Sequence, residues 1–527
     1  MTSDLNSFLS TTPVADAWKK IGIYPHHGIN LLLSALHTKN SSGIGEFYDL
    51  LPLIDWCNEV NLDTLQLLPL NDTGDDPSPY YSISSCALNP LFISLYALPY
   101  LKQTDELQKL QLLSREASHL SYSDVQSHKF FFLRHYFHQE GQTLIQSKEF
   151  EQFVSQSPWL LPYALFKTIK TIVSKNHWMT WPENLKKLTS LEKENLLKNH
   201  GEEIAFFMLL QYLCFSQLAE VKKYAQKKKV HLFGDLPILI SPDSADVWHH
   251  RELFDLNLQA GSPPDIYSTL GQAWGFPIMR WDMMEKENYS WWKERLLHAS
   301  NFYDIYRLDH VIGLFRIWAV PLNKTANEGF YIPSNENLWN DQGKKNLMKL
   351  VSHSQMLPIA EDLGVVRPSM REVLKSLGIC GTKVMRWERK WEEDKSFIPF
   401  NEYPPLSLTT VSTHDSETLE LWWRDEPEEA KVFAQFKGWQ YSPKLTFDQR
   451  KEILWDSHHT PSLFHVNLLQ EYLSLFPNFD WNSPEEERIN VPGKVMPTNW
   501  TYRFKPSVEE ILQHDDLKKE MKNILDL

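Results

Sequence analysis

Eight short runs of apolar and β-branched residues recur along the chain, and three of them end on an acid with a distinctive neighbour. The runs are GINLLLSAL (28–36), TLQLLPL (64–70), HLFGDLPILI (231–240), YDIYRLD (303–309), MLPIAED (356–362), GTKVMRW (381–387), LTTVSTHD (408–415) and, more weakly, FHVNLL (464–469). Helical patterns stand between several of them, such as IDWCNEV after the first and MREVLKSLG after the fifth. A short apolar run closed by a polar loop reads as a strand buried on both faces, and strands alternating with helices give a parallel sheet. Eight such units fit a closed (β/α)8 barrel of the α/β class.

In such a barrel the C-terminal strand ends converge on one face. Asp309 in YRLDH, Glu361 in LPIAEDLG and Asp415 in TVSTHD then share one pocket although they lie far apart in sequence. Two carboxylates flanking a scissile bond are the working parts of glycoside chemistry, and a third can organise the sugar. Each acid alone reads more readily as a helix cap or a loop start than as a catalytic group. Arg307, two residues before Asp309, and His414, beside Asp415, set the group apart. Acids and histidines at strand ends can also hold a divalent metal, but these strand ends carry no His–x–His or Asp–x–Asp pair and Arg307 opposes a cation. The expectation is a site without metal or cofactor.

Charge and composition narrow the partners. A net charge of −14 disfavours nucleic acid, whose phosphates need a basic face. The 20 Trp and 20 Tyr supply rings for helix packing and for stacking on sugars. The four cysteines, Cys57, Cys86, Cys214 and Cys380, are widely spaced and read as reduced thiols of a cytoplasmic protein. With no 18-residue apolar run, no membrane span is expected, and the first 20 residues have neither the basic nor the apolar region of a signal peptide.

The expected organisation is one catalytic domain over residues 1–527. The stretch 95–229 is too long for one crossover and reads as a helical insertion between the second and third strands. Its FFFLRHYF cluster reads as helix core, and Lys222, Lys223, Lys227, Lys228 and Lys229 as cations solvating a helix C-terminus. The segment 261–282, GSPPDIYSTLGQAWGFPIMRWD, carries prolines and glycines that argue against regular structure, together with Tyr267, Trp274 and Phe276. It is too apolar for disorder and reads as an active-site loop over the barrel mouth.

At these motifs the chain resembles the 4-α-glucanotransferases, also called amylomaltases or disproportionating enzymes, over nearly its whole length. The matching segments are LQLLPLNDTGDDPSPYYSISSCALNPLFISL, GDLPILISPDSADVW, the PPD…GQ.WG loop, RLDH, AEDLG, THD and INVPGKV…NW. The resemblance implies Asp309 as nucleophile, Glu361 as general acid/base and Asp415 as transition-state stabiliser, with Arg307 supporting the nucleophile. It implies that His310, His414 and Asp235 bind the sugar beside the scissile bond and that Ser78 and Tyr80 line the donor side. Asp265, Gln272 and Trp274 would come from the loop and Asn490 from the C-terminal segment. Three positions depart from the usual pattern: Ala273 where a basic residue is common, Phe276 where a smaller polar one often sits, and Ser412 in place of a glycine.

The resemblance implies retaining transfer of an α-1,4-glucan segment to the 4-hydroxyl of glucose or a maltodextrin. The donors would be maltodextrins and glycogen- or starch-derived glucans. Such chemistry asks for a nucleophile held ionised and an acid held protonated, the latter by burial and a neighbouring negative charge. Asp362, facing the other way from Glu361, is read as structural. An α-glucan hydrolase of the α-amylase type and a catalytically inert glucan-binding protein on the same fold are the alternatives.

Overall fold

The computed structural model describes residues 2–101, 104–113, 117–174, 176–264 and 269–526. Among the described residues twelve strands form in chain order. They are β1 (His26–Leu31), β2 (Thr64–Leu67), β3 (His231–Pro237), β4 (Phe254–Ser262), β5 (Gln272–Met279) and β6 (Ile305–Asp309), then β7 (Ile317–Pro321), β8 (Phe330–Ile332), β9 (Leu357–Ala360), β10 (Gly381–Val384), β11 (Ser407–Thr410) and β12 (Phe464–Leu468). Eight of them make one sheet in the order β10-β11-β12-β1-β2-β3-β6-β9, every pair parallel.

The sheet closes on itself. Ile359 bridges Cys380 in parallel, the Ala360 N–H donates to the Cys380 carbonyl at 2.8 Å, and Thr382 Oγ1 donates to the Ala360 carbonyl at 2.9 Å. The eight members overlap the eight apolar runs, and the fold is a (β/α)8 barrel with helical insertions. Strands such as β2, β9, β11 and β12 are buried at every position, as a sheet covered on both sides requires.

Between β2 and β3 stand several helices, the longest Tyr122–Ile145 and Gly201–Lys227. Gly201–Lys227 is long and apolar enough by composition to cross a membrane, yet Phe206, Leu210, Cys214, Leu218 and Val221 along it are buried in the body. Two of its glutamines dock it on the chain after β2. Gln211 exchanges two hydrogen bonds with the Leu88 backbone, both 2.8 Å, and Gln217 does the same with Ser94. Phe132, Tyr136 and Phe137 of FFFLRHYF are buried, as a helix core requires.

Lys223, Lys227 and Lys229 are exposed at the helix end as read, but two lysines of the cluster differ. Lys222 is buried and ion-paired with Asp304, and Lys228 pairs with Asp55 at 2.6 Å. These two cations brace the helix against neighbouring elements, a role that sequence-adjacent lysines do not reveal.

A second, antiparallel sheet in the order β5-β4-β7-β8 stands outside the eight predicted runs. It overturns the expectation that 261–282 lacks regular structure, since β5 occupies 272–279 of that segment. The prolines and glycines are accommodated because the β4–β5 register is irregular at Gln259, opposite Pro277, and β5 is an edge strand. Gly261 is needed for a close approach, because a Cβ there would lie 2.0 Å from the Gln272 carbonyl oxygen. Ala260, Ile278, Ile317 and Ala319 form a small separate core for this sheet, with Trp274 packed against it.

Candidate active site

Register brings the charged groups together. Asp235 on β3 and Arg307 on β6 are cross-strand partners, and Asp309 is two residues beyond Arg307 on the same strand face. Arg307 Nη1 donates to Asp235 Oδ2 at 2.9 Å and to Asp309 Oδ1 at 2.8 Å. Nη2 of the same guanidinium is 4.0 Å from Glu361 Oε2. The Tyr80 hydroxyl donates to Asp235 Oδ2 at 2.8 Å. A single cation thus stands at the centre of three carboxylates.

Glu361 is the residue after β9, and its N–H extends the ladder to the Leu308 carbonyl at 3.0 Å. His310 follows β6 in the left-handed region, φ 48°, a conformation that costs a non-glycine residue about 1–3 kcal/mol. That turn aims its N–H at Glu361 Oε2 (2.7 Å), while the Leu363 N–H donates to Oε1 (2.9 Å). Burial and the negative charge of Asp309 raise the Glu361 carboxyl to about 7, against the opposing pull of Arg307. Asp235, 1% exposed, is raised by burial despite Arg307. Burial opposes the Arg307 charge, but Asp235, Tyr80 and Asp309 hold it well above its ordinary value.

Asp415 is not at a strand tip. β11 stops at Thr410, and 411–418 form a loop, because Ser416 Oγ caps the Thr413 N–H at 2.9 Å and turns the chain. Asp415 projects from this loop into the cavity with 46% of its side chain exposed, accepting from Asn490 Nδ2 at 2.7 Å and standing 3.3 Å from His414 Nε2. Burial pushes its carboxyl up, but His414, Asn490 and Arg307 prevail and lower it to about 2. His414, 4% exposed, stacks on Tyr80 at 5.2 Å, and Trp500 packs against both rings.

Above these groups opens a cavity of about 310 Å³. Its wall includes Tyr80, Gln272, Trp274, Asp309, His310, Glu361, Asp415 and Asn490. Trp274 meets His310 edge-on at 5.0 Å and gives its indole N–H to Gln272 Oε1 at 2.9 Å. Asp235, Arg307 and His414 lie behind the wall, where they hold the groups that form it. Ser78 is missing from the described residues of the wall; its N–H is turned back onto Asp76 Oδ1 at 2.8 Å. Asp265, with Tyr267, lies outside the described residues.

Phe276, expected in the active-site loop, also faces the cavity, and so do Pro237, Leu239, Pro492, Gly493 and Trp500, which the sequence did not mark as site residues. Trp500 closes the INVPGKV…NW segment and was within reach of that motif. Pro237 and Leu239 continue the β3 run and carry no chemical signal. Asp362 is structural as read, accepting from Thr382 N at 2.7 Å and from Arg371 Nε at 2.9 Å.

Known proteins share this arrangement of chain. A family model described as 4-alpha-glucanotransferase matches residues 31–509. The 4-alpha-glucanotransferase of Chlamydia caviae is 46% identical over 525 residues, spanning 98% of this chain and 97% of the relative. That of Chlamydia trachomatis is 42% identical, spanning 98% of each. Among solved structures, the amylomaltase from Streptococcus agalactiae in complex with acarbose has the same fold, with a TM-score of 0.80 at 24% identity over 95% of this chain and 98% of that one. These likenesses define a glucan-transferring enzyme on a (β/α)8 barrel. The chain belongs to the 4-α-glucanotransferase family.

Proposed function

We propose that the protein moves a segment of an α-1,4-glucan onto the 4-hydroxyl of glucose or a maltodextrin, with retention, through a covalent glycosyl ester on Asp309. The observation that carries this reading is the contrast between two carboxylates beside one guanidinium. Arg307 stands 2.8 Å from Asp309, while Glu361, 4.0 Å from the same group, is raised to about 7. One is set up to attack as the anion and the other to give a proton.

In the first half-reaction the Asp309 carboxylate attacks the anomeric carbon, and Glu361 gives its proton to the departing glycosidic oxygen. Asp415, ionised, steadies the positive charge that develops on the sugar ring. In the second half-reaction an acceptor 4-hydroxyl takes the leaving group's place. Glu361 removes its proton as the new C1–O bond forms and the bond to Asp309 breaks. Tyr80 and Trp500 present rings to the sugar beside the scissile bond, with His414 stacked behind Tyr80. Trp274 and Gln272, from β5, face the acceptor, and Asn490 holds Asp415. Asp235 acts from behind, through Arg307 and Tyr80. The donors are maltodextrins and glycogen- or starch-derived glucans. Four free, buried thiols favour a reducing, cytoplasmic setting.

Incubation with maltotriose tests the reading. The expected products are glucose and a ladder of longer maltodextrins, with nearly constant reducing ends. Glucose and maltose with a matching rise in reducing ends would mark a hydrolase. Unchanged maltotriose would leave only a binding protein.

A further inference from the structure

The loop 411–418 carries His414 and Asp415 on side-chain ties rather than on a ladder. One end is fixed where Val411 N donates to Asn467 Oδ1 of β12 at 2.8 Å. Within the loop Glu417 is held by Arg386, which donates to its carbonyl at 2.8 Å, and by Arg488, 2.6 Å from its carboxylate, while Ser412 and Leu419 are gathered by Glu471, in the short helix Leu469–Leu473 directly after β12. The Ser412 hydroxyl donates to Glu471 Oε1. The Leu419 N–H, at the far end of the loop, donates to the same Oε1 at 3.0 Å and to Oε2 at 3.3 Å. Both ends of the loop therefore meet on one carboxylate.

That carboxylate is only 2% exposed. Burying an acid is unfavourable unless hydrogen bonds satisfy it, so its partners are held firmly and their positions are coupled to it. Ser412, also 2% exposed, has no access to solvent as a substitute partner. Asp415 lies between the two tied points and reaches Asn490 at 2.7 Å from there. A small shift of either tie moves its carboxylate relative to Asp309 and Glu361.

We propose that Glu471 is a positioning residue for glucan transfer, clasping the two ends of the Asp415 loop with Ser412 as its first strap. This rests on the role proposed for Asp415 at the reacting sugar. Glu471 touches no sugar; it acts by keeping the Asp415 carboxylate where charge develops in the transition state. Its loss should therefore lower kcat and spare ground-state binding.

The test is Ser412→Ala, which removes the strap with little change of volume, with Glu471→Gln as a second variant of conserved size. Each is made in the wild-type background and in Asp415→Asn, and kcat, KM and Tm are measured with maltotriose. In the wild-type background kcat should fall about 10- to 100-fold, the scale of a misplaced catalytic group, with KM nearly unchanged and a modest drop in Tm, because a buried acid loses a hydrogen-bond donor. In Asp415→Asn the same substitutions should cost little further. Undiminished kcat for Ser412→Ala would overturn the proposal. So would an equal loss in both backgrounds, or a fall in kcat matched by a rise in KM. Asp415→Asn with wild-type kcat is a separate result, which would remove the role of Asp415 itself.

Discussion

Arg307 and Asp235 face each other across the β3–β6 pair, and the nitrogen that lies 2.9 Å from Asp235 also lies 2.8 Å from Asp309. Asp235 is 1% exposed and is further bonded to Tyr80. The guanidinium is thus fixed from behind by a buried anion and presents its remaining charge to the cavity. An ammonium on a flexible stem offers no such planar fork.

Removing this cation leaves Asp235 and Asp309 uncompensated. Arg307→Met keeps the volume and loses the charge, so unfolding free energy should fall by about 3–5 kcal/mol, the scale for breaking a buried pair. Urea unfolding with activity measured in parallel checks it. A loss under about 1 kcal/mol, the scale of a surface ion pair, would mean that Arg307 is not the cluster's anchor.

Glu361 should set the alkaline side of the pH profile. As the donor of a proton it must be neutral, and its carboxyl is raised to about 7. The kcat/KM for maltotriose should therefore decline as pH rises through about 7. A glucosyl fluoride donor, whose leaving group needs no proton, should show no such decline in the glycosylation step. Asp415, lowered to about 2, contributes nothing in this range.

Stability should follow the same group. Between the ordinary carboxyl value and about 7 the folded chain keeps a proton on Glu361 that the unfolded chain has lost. The stability linked to it is present at low pH and disappears as pH rises through this window. Glu361→Gln removes the dependence, so its Tm relative to wild type should rise from pH 5 to pH 8. A constant difference would contradict the raised carboxyl.

Trp274 offers a separation of transfer from hydrolysis. It sits on the cavity wall, edge-on to His310 at 5.0 Å. An acceptor sugar needs an ordered surface, whereas water needs only access. Trp274→Ala should therefore raise the ratio of hydrolysis to transfer while lowering the total rate. Product analysis and Tm on this variant decide the matter. An unchanged ratio with a lower Tm would mean that Trp274 only packs β5 against its small core.

The barrel was legible because each of its strands is a local apolar run, and Asp309 and Glu361 were legible because they stand at the ends of two such runs. The second sheet was not. Its pairs, such as Gly261 with Trp318 and Ala319 with Phe330, join segments with no local period, and Gly275 and Pro277 on β5 read as breakers. The run LTTVSTHD predicts a strand that continues five residues beyond the end of β11, since β-branched Val411 and Thr413 hide a turn made by the side chain of Ser416. Glu471 was invisible for a related reason: its function comes from partners 52 and 59 residues away along the chain.

The covalent step through Asp309 is tested most directly by trapping it. Glu361→Gln, given α-glucosyl fluoride, can form the ester without acid assistance and resolves it slowly, because no base activates the acceptor. Mass spectrometry of the digested variant should find one added glucosyl unit on the peptide carrying Asp309. An adduct on another residue, or turnover of the fluoride with inversion and no adduct, would contradict the account.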